Sequence, residues 1–456
     1  MSILMSPEEV WKDVEIESED FDESVLKEYE TEDAKYREVY FNGKKTNAGI
    51  TRIYAVIALP KSVQNPPVVL LCHDFNNSID KSYIDYFIKM NFAVMMCDMY
   101  GHYEGRKYTF YPDDIKYANI DSAENHIFEV DNSARETLPF EWTMVNRYAL
   151  KYLRTQKDVD YSKIACVGIG EGATVTWQLA YVEKELKACV ALFYAGWGEY
   201  GKNYKFASDS EITNLTSNRV AYIAGVSPQS YAPYVNVPML YLTASNNQLG
   251  NLDRAFDTMA RINGAVTSII AITPNSINRI GYFATRDLRL WLNMYLNDAK
   301  LEIPEKPTIK FESYSGKMLC KCYVEKNENV QKVRLYYSEG SVIPSARCWF
   351  ERELTRSGDG FLGSVDICDS SEKFFAFCNV EYKNGYTICS NYVSMIPKSI
   401  GIAKTLVKEN LIYNASMGID AFVGMKGVIS SGANSTFTDK HSVKLIEGAN
   451  GIEGVT

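Results

Sequence analysis

Histidine is scarce in this sequence: 456 residues contain four, and after Gly172 only His441 remains. Long apolar runs are missing too, and the N-terminus lacks a positive segment followed by an apolar stretch, so neither a membrane span nor a secretion signal is predicted. A basic excess is also missing, because the net charge is −9. We therefore expect a cytoplasmic protein without nucleic-acid or membrane partners.

None of the ten cysteines forms a C-x-x-C pair. Several lie inside apolar runs, as Cys72 and Cys166 do, so buried reduced thiols are expected instead of a disulfide framework. Cys320 and Cys322 are two residues apart with no histidine near them, which is typical of two side chains on one face of a strand. The sequence thus predicts neither a metal site nor a cofactor.

Changes of pattern divide the chain into four parts. Residues 1–35 are predicted to be an acidic N-terminal arm, solvated or forming an exposed helix, because 13–33 carry many carboxylates and few large apolar side chains. Residues 36–300 alternate strand and helix patterns, and 308–397 have a period of two without helices, which favours an Ig-like β-sandwich. Residues 398–456 are rich in Gly, Ser and Asn and form a tail or a partial β unit.

The second part predicts an open, mostly parallel α/β sheet flanked by helices, whose ligands bind at the carboxyl ends of the strands. A hairpin (36–41 and 50–59) precedes six buried strands, and long insertions at 99–141 and 195–235 lie over the sheet edge. The buried strands are predicted near 66–75, 92–98, 164–167, 186–194, 237–243 and 267–273. The sandwich strands are predicted at 309–311, 318–324, 333–337, 347–350, 361–365, 374–382 and 386–393.

One stretch combines strand, tight turn and helix. The apolar run Ile164–Val167 is followed by Gly168, Gly170 and Gly172, and then by a helical segment. This is the context in which a G-x-S-x-G elbow presents a nucleophile, because the flanking glycines allow close packing around one strained residue. Here the central residue is Gly170, which has no side chain.

The same glycines satisfy the G-x-G-x-x-[G/A] pattern of dinucleotide binding. That pattern alone is weak, and it normally opens the first βα unit, whereas here it opens the third. An acidic residue is also expected at the end of the next strand, where this chain has Tyr194 and Ala195. Dinucleotide binding is therefore disfavoured.

Together these stretches resemble the α/β-hydrolases of the acetyl-xylan-esterase and dienelactone-hydrolase kind, with an appended β-sandwich. The resemblance covers about residues 35–300. It rests on the lead-in to the elbow at 159–164, on the strand end and oxyanion loop at 71–74, and on the acid and histidine loops at 242–247 and 273–280.

The resemblance places the nucleophile at Gly170, the acid at Asn247 and the histidine at Asn278, so all three triad positions are replaced. Glycine offers no nucleophile, and asparagine neither accepts a proton near neutral pH nor carries charge. The family's mechanism needs an attacking oxygen, an imidazole and a carboxylate. No catalytic residue is therefore expected.

The oxyanion cradle of the family is expected to survive as backbone N–H groups of Glu171 and of Asp74 or Phe75. These donors and the helix dipole would favour a carboxylate or carbonyl ligand. Binding can thus persist where turnover does not.

Relocated catalytic groups are the main alternative. His73, His102 and His126 all precede the elbow. His73 lies at a strand end and is the candidate for a relocated catalytic histidine, although a loop histidine bonded to backbone is the simpler interpretation. Glu171 and Asp98 could pair as carboxylates, but Asp98 more simply anchors its own loop.

These observations predict a non-catalytic descendant of an esterase that binds a small acyl or carbohydrate-like ligand or a partner. The alternatives are an active carboxylic-ester hydrolase with a non-standard constellation, and a purely structural partner-binding protein. An empty, tyrosine-lined pocket above Gly170 would argue against the last.

Overall fold

The computed structural model has an α/β region followed by an all-β region. No helix among the described residues is long and apolar enough to cross a membrane. The described residues are 2–16, 20–75, 78–122, 127–201, 203–207, 215–367 and 369–402, with the backbone alone of 411–414, 434–439 and 442–445.

A nine-stranded mixed sheet forms the centre of the α/β region. Its strands are β1 (Ser24–Glu30), β2 (Ala34–Lys45), β3 (Ile50–Pro60), β4 (Pro67–Cys72), β5 (Ala93–Cys97), β6 (Asp160–Ile169), β7 (Ala188–Leu192), β8 (Met239–Ala244) and β9 (Ser268–Thr273). Their spatial order is β1-β2-β3-β5-β4-β6-β7-β8-β9, antiparallel as far as β5 and parallel beyond it. The predicted mostly parallel sheet is confirmed.

Helices cover both faces of this sheet. They are α1 (Pro7–Trp11), α2 (Lys81–Ile88), α3 (Leu138–Leu153), α4 (Gly172–Val182), α5 (Ser217–Gly225), α6 (Pro228–Tyr231), α7 (Leu252–Ala260) and α8 (Tyr282–Leu296). Successive residues of a strand face opposite sides, so Val69 and Leu71 pack with α2 and α8, whereas Leu70 and Cys72 pack with α3 and α4. Each face of the sheet therefore has its own core.

The N-terminal residues differ from the expected solvated arm or exposed helix. Helix α1 is anchored, because Val10 and Trp11 are buried and the indole Nε1 of Trp11 donates to the hydroxyl of Tyr231 at 2.8 Å. Residues 24–30 form the edge strand β1, paired antiparallel with β2. Its side chains are largely exposed, so backbone pairing with the next strand along the chain stabilises it, and the acidic composition does not reveal that pairing.

The all-β region consists of two antiparallel sheets. One has the order β10-β11-β15-β14, and the other β13-β12-β16-β17 with β18 also on β16. The strands are β10 (Thr308–Tyr314), β11 (Lys317–Tyr323), β12 (Val330–Glu339), β13 (Phe350–Glu353), β14 (Thr355–Ser357), β15 (Gly360–Val365), β16 (Phe374–Tyr382), β17 (Thr387–Cys389) and β18 (Val393–Met395). The predicted all-β architecture after the α/β region is confirmed.

Two details of the sandwich differ from prediction. The predicted strand at 347–350 is loop up to Trp349, because its backbone and side chains bind the α/β region instead of a neighbouring strand. The predicted strand at 386–393 is divided into β17 and β18. In the predicted tail, the backbone strands β19 (Leu411–Asn414), β20 (Asn434–Asp439) and β21 (Ser442–Leu445) form an antiparallel sheet, and most of the rest lies outside the described residues.

A buried ion pair joins the two regions. The Arg347 guanidinium donates to both carboxylate oxygens of Asp253 on α7, with Nη2–Oδ2 at 2.8 Å, and both side chains are fully buried. The Tyr392 hydroxyl donates to the same carboxylate at 2.6 Å, and the guanidinium lies 3.4 Å from the ring centroid of Phe375. The Asp253 carboxylate is thus paired and hydrogen-bonded by side chains of the sandwich.

Replacing Arg347 by alanine should lower the free energy of unfolding by roughly 3–5 kcal/mol, because the Asp253 carboxylate would remain buried without its cation. The matched control is Arg352→Ala, whose guanidinium lies 3.9 Å from Asp366 with both side chains partly exposed. It should cost about 1 kcal/mol or less. Urea unfolding followed by tryptophan fluorescence measures both, and equal losses would contradict the role given to Arg347.

Candidate functional site

The glycine elbow has the predicted geometry. Strand β6 ends at Ile169, helix α4 begins at Gly172, and Gly170 between them has a φ of +56°, which disfavours residues with a side chain. A Cβ atom on Gly172 would lie 2.4 Å from the carbonyl oxygen of Cys72, and one on Gly168 would lie 2.2 Å from the carbonyl oxygen of Gly172. The glycines therefore allow β4, β6 and α4 to approach closely.

The acid and histidine loops meet at the same carboxyl edge of the sheet. Asn247 Nδ2 donates to the carbonyl oxygen of Ile277 at 2.7 Å and to Asn278 Oδ1 at 3.2 Å. Asn247 Oδ1 accepts from the backbone N–H of Gly250 at 2.6 Å. Asn247 follows β8 and Asn278 follows β9, whereas Gly170 follows β6. The two amides form a neutral structural network in place of a proton relay.

The oxyanion cradle contains an acceptor that belongs to the protein itself. Asp74 Oδ1 accepts from the backbone N–H of Phe75 at 2.8 Å and from that of Glu171 at 3.0 Å. These are the two donors that the resemblance assigns to the cradle. The sequence identified the donors but not their occupant, because the direction of the Asp74 side chain depends on the contact between two distant loops.

The same carboxylate fills the space that a side chain at residue 170 would need. A Cβ atom on Gly170 would lie 2.3 Å from Cγ and Oδ1 of Asp74 and 2.5 Å from Oδ2. A serine at 170 would therefore collide with Asp74 where it stands. The loss of the side chain at 170 and the position of Asp74 are spatially complementary.

His73 is held by backbone on both ring nitrogens. The N–H of Met99 donates to Nε2 at 2.7 Å, so Nδ1 carries the proton that it shares with the carbonyl oxygen of Asp74 at 2.9 Å. The imidazole is 1% exposed, and burial lowers its pKa. This geometry fits the predicted loop histidine that is bonded to backbone better than a histidine with a relocated catalytic role.

The remaining candidates lie apart from the elbow or serve their own loops. His102 is exposed and its Nδ1 lies 3.0 Å from Asp121 Oδ2, while His126 lies outside the described residues. Asp98 is buried and its Oδ2 accepts from the N–H groups of Gly101 and Thr109. Its position is that of a loop anchor.

Two further buried carboxyl groups lie near the cradle, because the charges of Asp74 and of Glu199 both act on Glu171. Glu171 is 2% exposed, and burial together with the charge of Asp74 raises its pKa to about 8. Burial raises the pKa of Glu199 to about 7, and the hydroxyl of Ser227 donates to it. We call Asp74, Glu171 and Glu199 the carboxyl cluster. Sequence reasoning missed Glu199, because no pattern in its glycine-rich insertion indicates burial.

Two tyrosines adjoin the carboxyl cluster. The pKa values of Tyr194 and Tyr222 are raised by burial first and then by the charges of Glu171 and Glu199. Glu171 Oε1 is buried without a hydrogen-bond partner. Such surroundings favour the neutral form of Glu171 and Glu199.

The sandwich covers the acid and histidine loops. Asn246 Nδ2 donates to the carbonyl oxygens of Ser345 and Arg347, at 3.1 and 2.6 Å. Asn275 pairs with the backbone of Trp349, donating at 2.8 Å and accepting at 3.0 Å. The loops that would present a catalytic acid and base are thus fixed by main-chain contacts with the second region.

A cavity of about 460 Å³ lies beside β1, β2, β3 and α2. Tyr29, Tyr36 and Tyr54 line it together with Glu38 and Arg106, among other residues, whereas Gly170, Asn247 and Asn278 do not. The tyrosine-rich cavity is therefore separate from the elbow. Among the described residues, no group of three His, Cys, Asp or Glu side chains is arranged to hold a metal ion.

The pH dependence of the free energy of unfolding should reveal the raised pKa of Glu171 in the carboxyl cluster. Folded Glu171 keeps its proton up to a pKa of about 8, against 4.5 ordinarily, so the folded state binds more protons than the unfolded chain and the free energy of unfolding falls as pH rises between these values. Glu171→Gln should remove this part of the decline, making the variant more stable than wild type near pH 8 by up to a few kcal/mol.

Urea unfolding between pH 5 and pH 8 measures the effect. Glu185→Gln is the control, because the Glu185 side chain is 72% exposed and its loss should leave the slope unchanged. An identical pH slope in wild type and Glu171→Gln would contradict the raised pKa of Glu171.

Comparison with known proteins gives one family match and several similar solved structures. Residues 53–262 match the model of the Dienelactone hydrolase family. Similar solved structures include acetyl xylan esterase 1 from Thermoanaerobacterium (16% identity, TM-score 0.46, covering 64% of this chain and 96% of that one) and an acetyl xylan esterase from Paenibacillus (14%, 0.44, 60% and 89%). A putative dienelactone hydrolase from Klebsiella pneumoniae is 13% identical, with a TM-score of 0.40 and coverage of 58% and 99%.

No curated protein matches the chain. The family match includes the oxyanion loop, the glycine elbow with its lead-in and the acid loop, which are three of the four stretches that carried the resemblance in the sequence. It ends before the histidine loop at 273–280. The chain therefore contains, over residues 53–262, an α/β-hydrolase region related to the dienelactone hydrolase family.

Proposed function

We propose that this protein is a non-catalytic α/β-hydrolase-fold protein that binds a small acyl or carbohydrate-like ligand, or a partner, without turning over an ester. The observation that carries the proposal is the side chain of Asp74, which occupies both the cradle and the space of the missing nucleophile at Gly170. An ester carbonyl therefore finds neither an attacking oxygen nor free donors.

The replaced acid and base positions support the same conclusion. Asn247 uses its amide to hold Ile277 and Asn278, and an amide cannot take the proton of an attacking group. His73, next to the cradle, has both ring nitrogens engaged by backbone. The thiol of Cys72 is buried, and burial with the neighbouring Cys166 raises its pKa well above the usual range. This thiol is a poor nucleophile.

Two places could receive a ligand. The cradle suits an acyl or carboxylate group, provided that Asp74 leaves it. The cavity beside β1 to β3 has a volume within the range of roughly 300–1,000 Å³ typical of small-molecule sites. Its tyrosines and Glu38 combine apolar ring faces with polar groups, a combination that suits a carbohydrate-like ligand.

The cellular setting is part of the proposal. The cysteines in the described part of the chain are free thiols, which fits a reducing compartment such as the cytoplasm. The net charge of −9 disfavours nucleic acid and anionic membranes as partners.

Hydrolysis of p-nitrophenyl acetate tests the absence of catalysis. We expect wild type to match a buffer blank, and the triple variant Gly170→Ser, Asn247→Asp, Asn278→His to remain silent, because Asp74 obstructs residue 170. Adding Asp74→Ala to the triple variant should remove the obstruction at residue 170 and free the two N–H donors of the cradle. The hydrolysis rate of this quadruple variant should exceed that of wild type by about tenfold or more, since nucleophile, base and oxyanion donors act as a unit.

The matched control carries Asp74→Ala, Asn247→Asp and Asn278→His with Gly170→Ala in place of Gly170→Ser. Its hydrolysis rate should equal that of the buffer blank. Wild-type turnover that follows the purified protein and survives both Glu171→Ala and His73→Ala would refute the proposal and favour an active hydrolase with a non-standard constellation.

A further inference from the structure

The position of Asp74 has a meaning beyond the loss of catalysis. We propose that Asp74 is a built-in ligand, whose carboxylate occupies a carboxylate-binding cradle formed by the N–H groups of Phe75 and Glu171, so that the cradle binds a small external carboxylate only when this side chain is withdrawn. The inference rests on the proposed function, because an active hydrolase would need the cradle open.

The hydrogen bonds identify the chemistry of the site. A single oxygen, Asp74 Oδ1, accepts an N–H from its own loop, that of Phe75 at 2.8 Å, and one from Glu171, 97 residues further along the chain, at 3.0 Å. The second donor immediately precedes α4, which begins at Gly172. Backbone donors at a helix start favour a negative charge, so the cradle selects an anionic oxygen acceptor.

The space that the Asp74 carboxylate occupies limits the size of the ligand. All three terminal atoms of Asp74 lie within 2.5 Å of the point where a Cβ atom of residue 170 would be. The carboxylate therefore fills space that opens only because residue 170 is glycine. Removing the Asp74 carboxylate leaves room for a group of the same shape, which is formate or the head of acetate.

The surroundings favour one negative charge at this place and no more. Glu171 and Glu199 are both 2% exposed, and burial raises the pKa of each carboxyl group to about 8 and about 7. Oxygen Oε1 of Glu171 has no hydrogen-bond partner. An external carboxylate that replaces Asp74 would restore the native charge, whereas a second anion beside Asp74 would meet repulsion.

Asp74 could instead serve only to brace its own loop, and the two roles have different consequences. If Asp74 only braces its loop, removing its side chain lowers stability, and a small carboxylate cannot restore the lost stability. If Asp74 occupies a carboxylate-binding cradle, removing its side chain also lowers stability, but formate or acetate restores stability by binding the folded state. The response to free carboxylate therefore distinguishes them.

The experiment measures thermal unfolding of full-length wild type and Asp74→Ala in increasing sodium formate, acetate or chloride at equal ionic strength. Asp74→Ala should have a lower Tm than wild type, and saturating formate should raise that Tm by roughly 4 °C or more while chloride does not. Wild type should not respond to formate, because its cradle is filled.

Asp80→Ala is the matched control from the same loop. The Asp80 carboxylate also accepts a backbone N–H, that of Ser82, at the start of α2, so its loss should lower the Tm without creating a formate site. A Tm of Asp74→Ala that ignores formate, or an equal formate response in wild type or Asp80→Ala, would overturn the proposal.

A second variant covers the case in which Asp74→Ala is unfolded. Folding of Asp74→Ala only when formate is present supports the proposal. If it stays unfolded in both conditions, Asp74→Ser, which keeps one small acceptor in the loop, must show the formate response or the proposal fails. Ester hydrolysis by wild type would refute the proposed function, whereas a missing formate response in a silent protein refutes only the role of Asp74.

Discussion

Close approach of β4, β6 and α4 is the constraint on which the site depends. Gly168 and Gly172 allow it, since a Cβ atom at either position would overlap main-chain atoms. The approach brings the loop after β4 against the start of α4, so that the N–H groups of Phe75 and Glu171 converge on one point. An acceptor is needed at such a point because unpaired buried donors are costly, and Asp74 supplies it from within the chain.

Electrostatics then explain how three carboxyl groups coexist near the elbow. Asp74 has two backbone donors, the N–H groups of Phe75 and Glu171. Glu171 and Glu199 are deeply buried, and burial raises their pKa values to about 8 and about 7, so Glu171 stays largely protonated at pH 7 and Glu199 does so below it. The arrangement resembles active sites in which the environment tunes the protonation of neighbouring acids.

The sequence predicted what local patterns encode. The apolar run through Val69 and the glycines around Gly170 identified the sheet and the elbow, because burial on both faces and a positive φ restrict the residue types. It failed where a partner lies far along the chain. The alternating pattern at 347–350, for example, belongs to a loop bound to Asp253 and Asn275. The direction of the Asp74 side chain depended on such a distant contact too. The edge strand β1 was missed for a different reason, because its largely exposed, acidic side chains give no apolar alternation although its partner β2 follows directly.

The paired amide of Asn275 has a consequence for how the two regions can vary. Its side chain contacts the N–H and C=O of Trp349, which every residue except proline provides. Asn246 likewise donates to the carbonyl oxygens of Ser345 and Arg347. Adhesion through the main chain depends little on the side chains of Ser345 and Trp349, whereas Arg347 in the same segment is fixed by its side chain, through the ion pair with Asp253. The contact between the two regions therefore combines a main-chain part that tolerates substitution with one ion pair that does not.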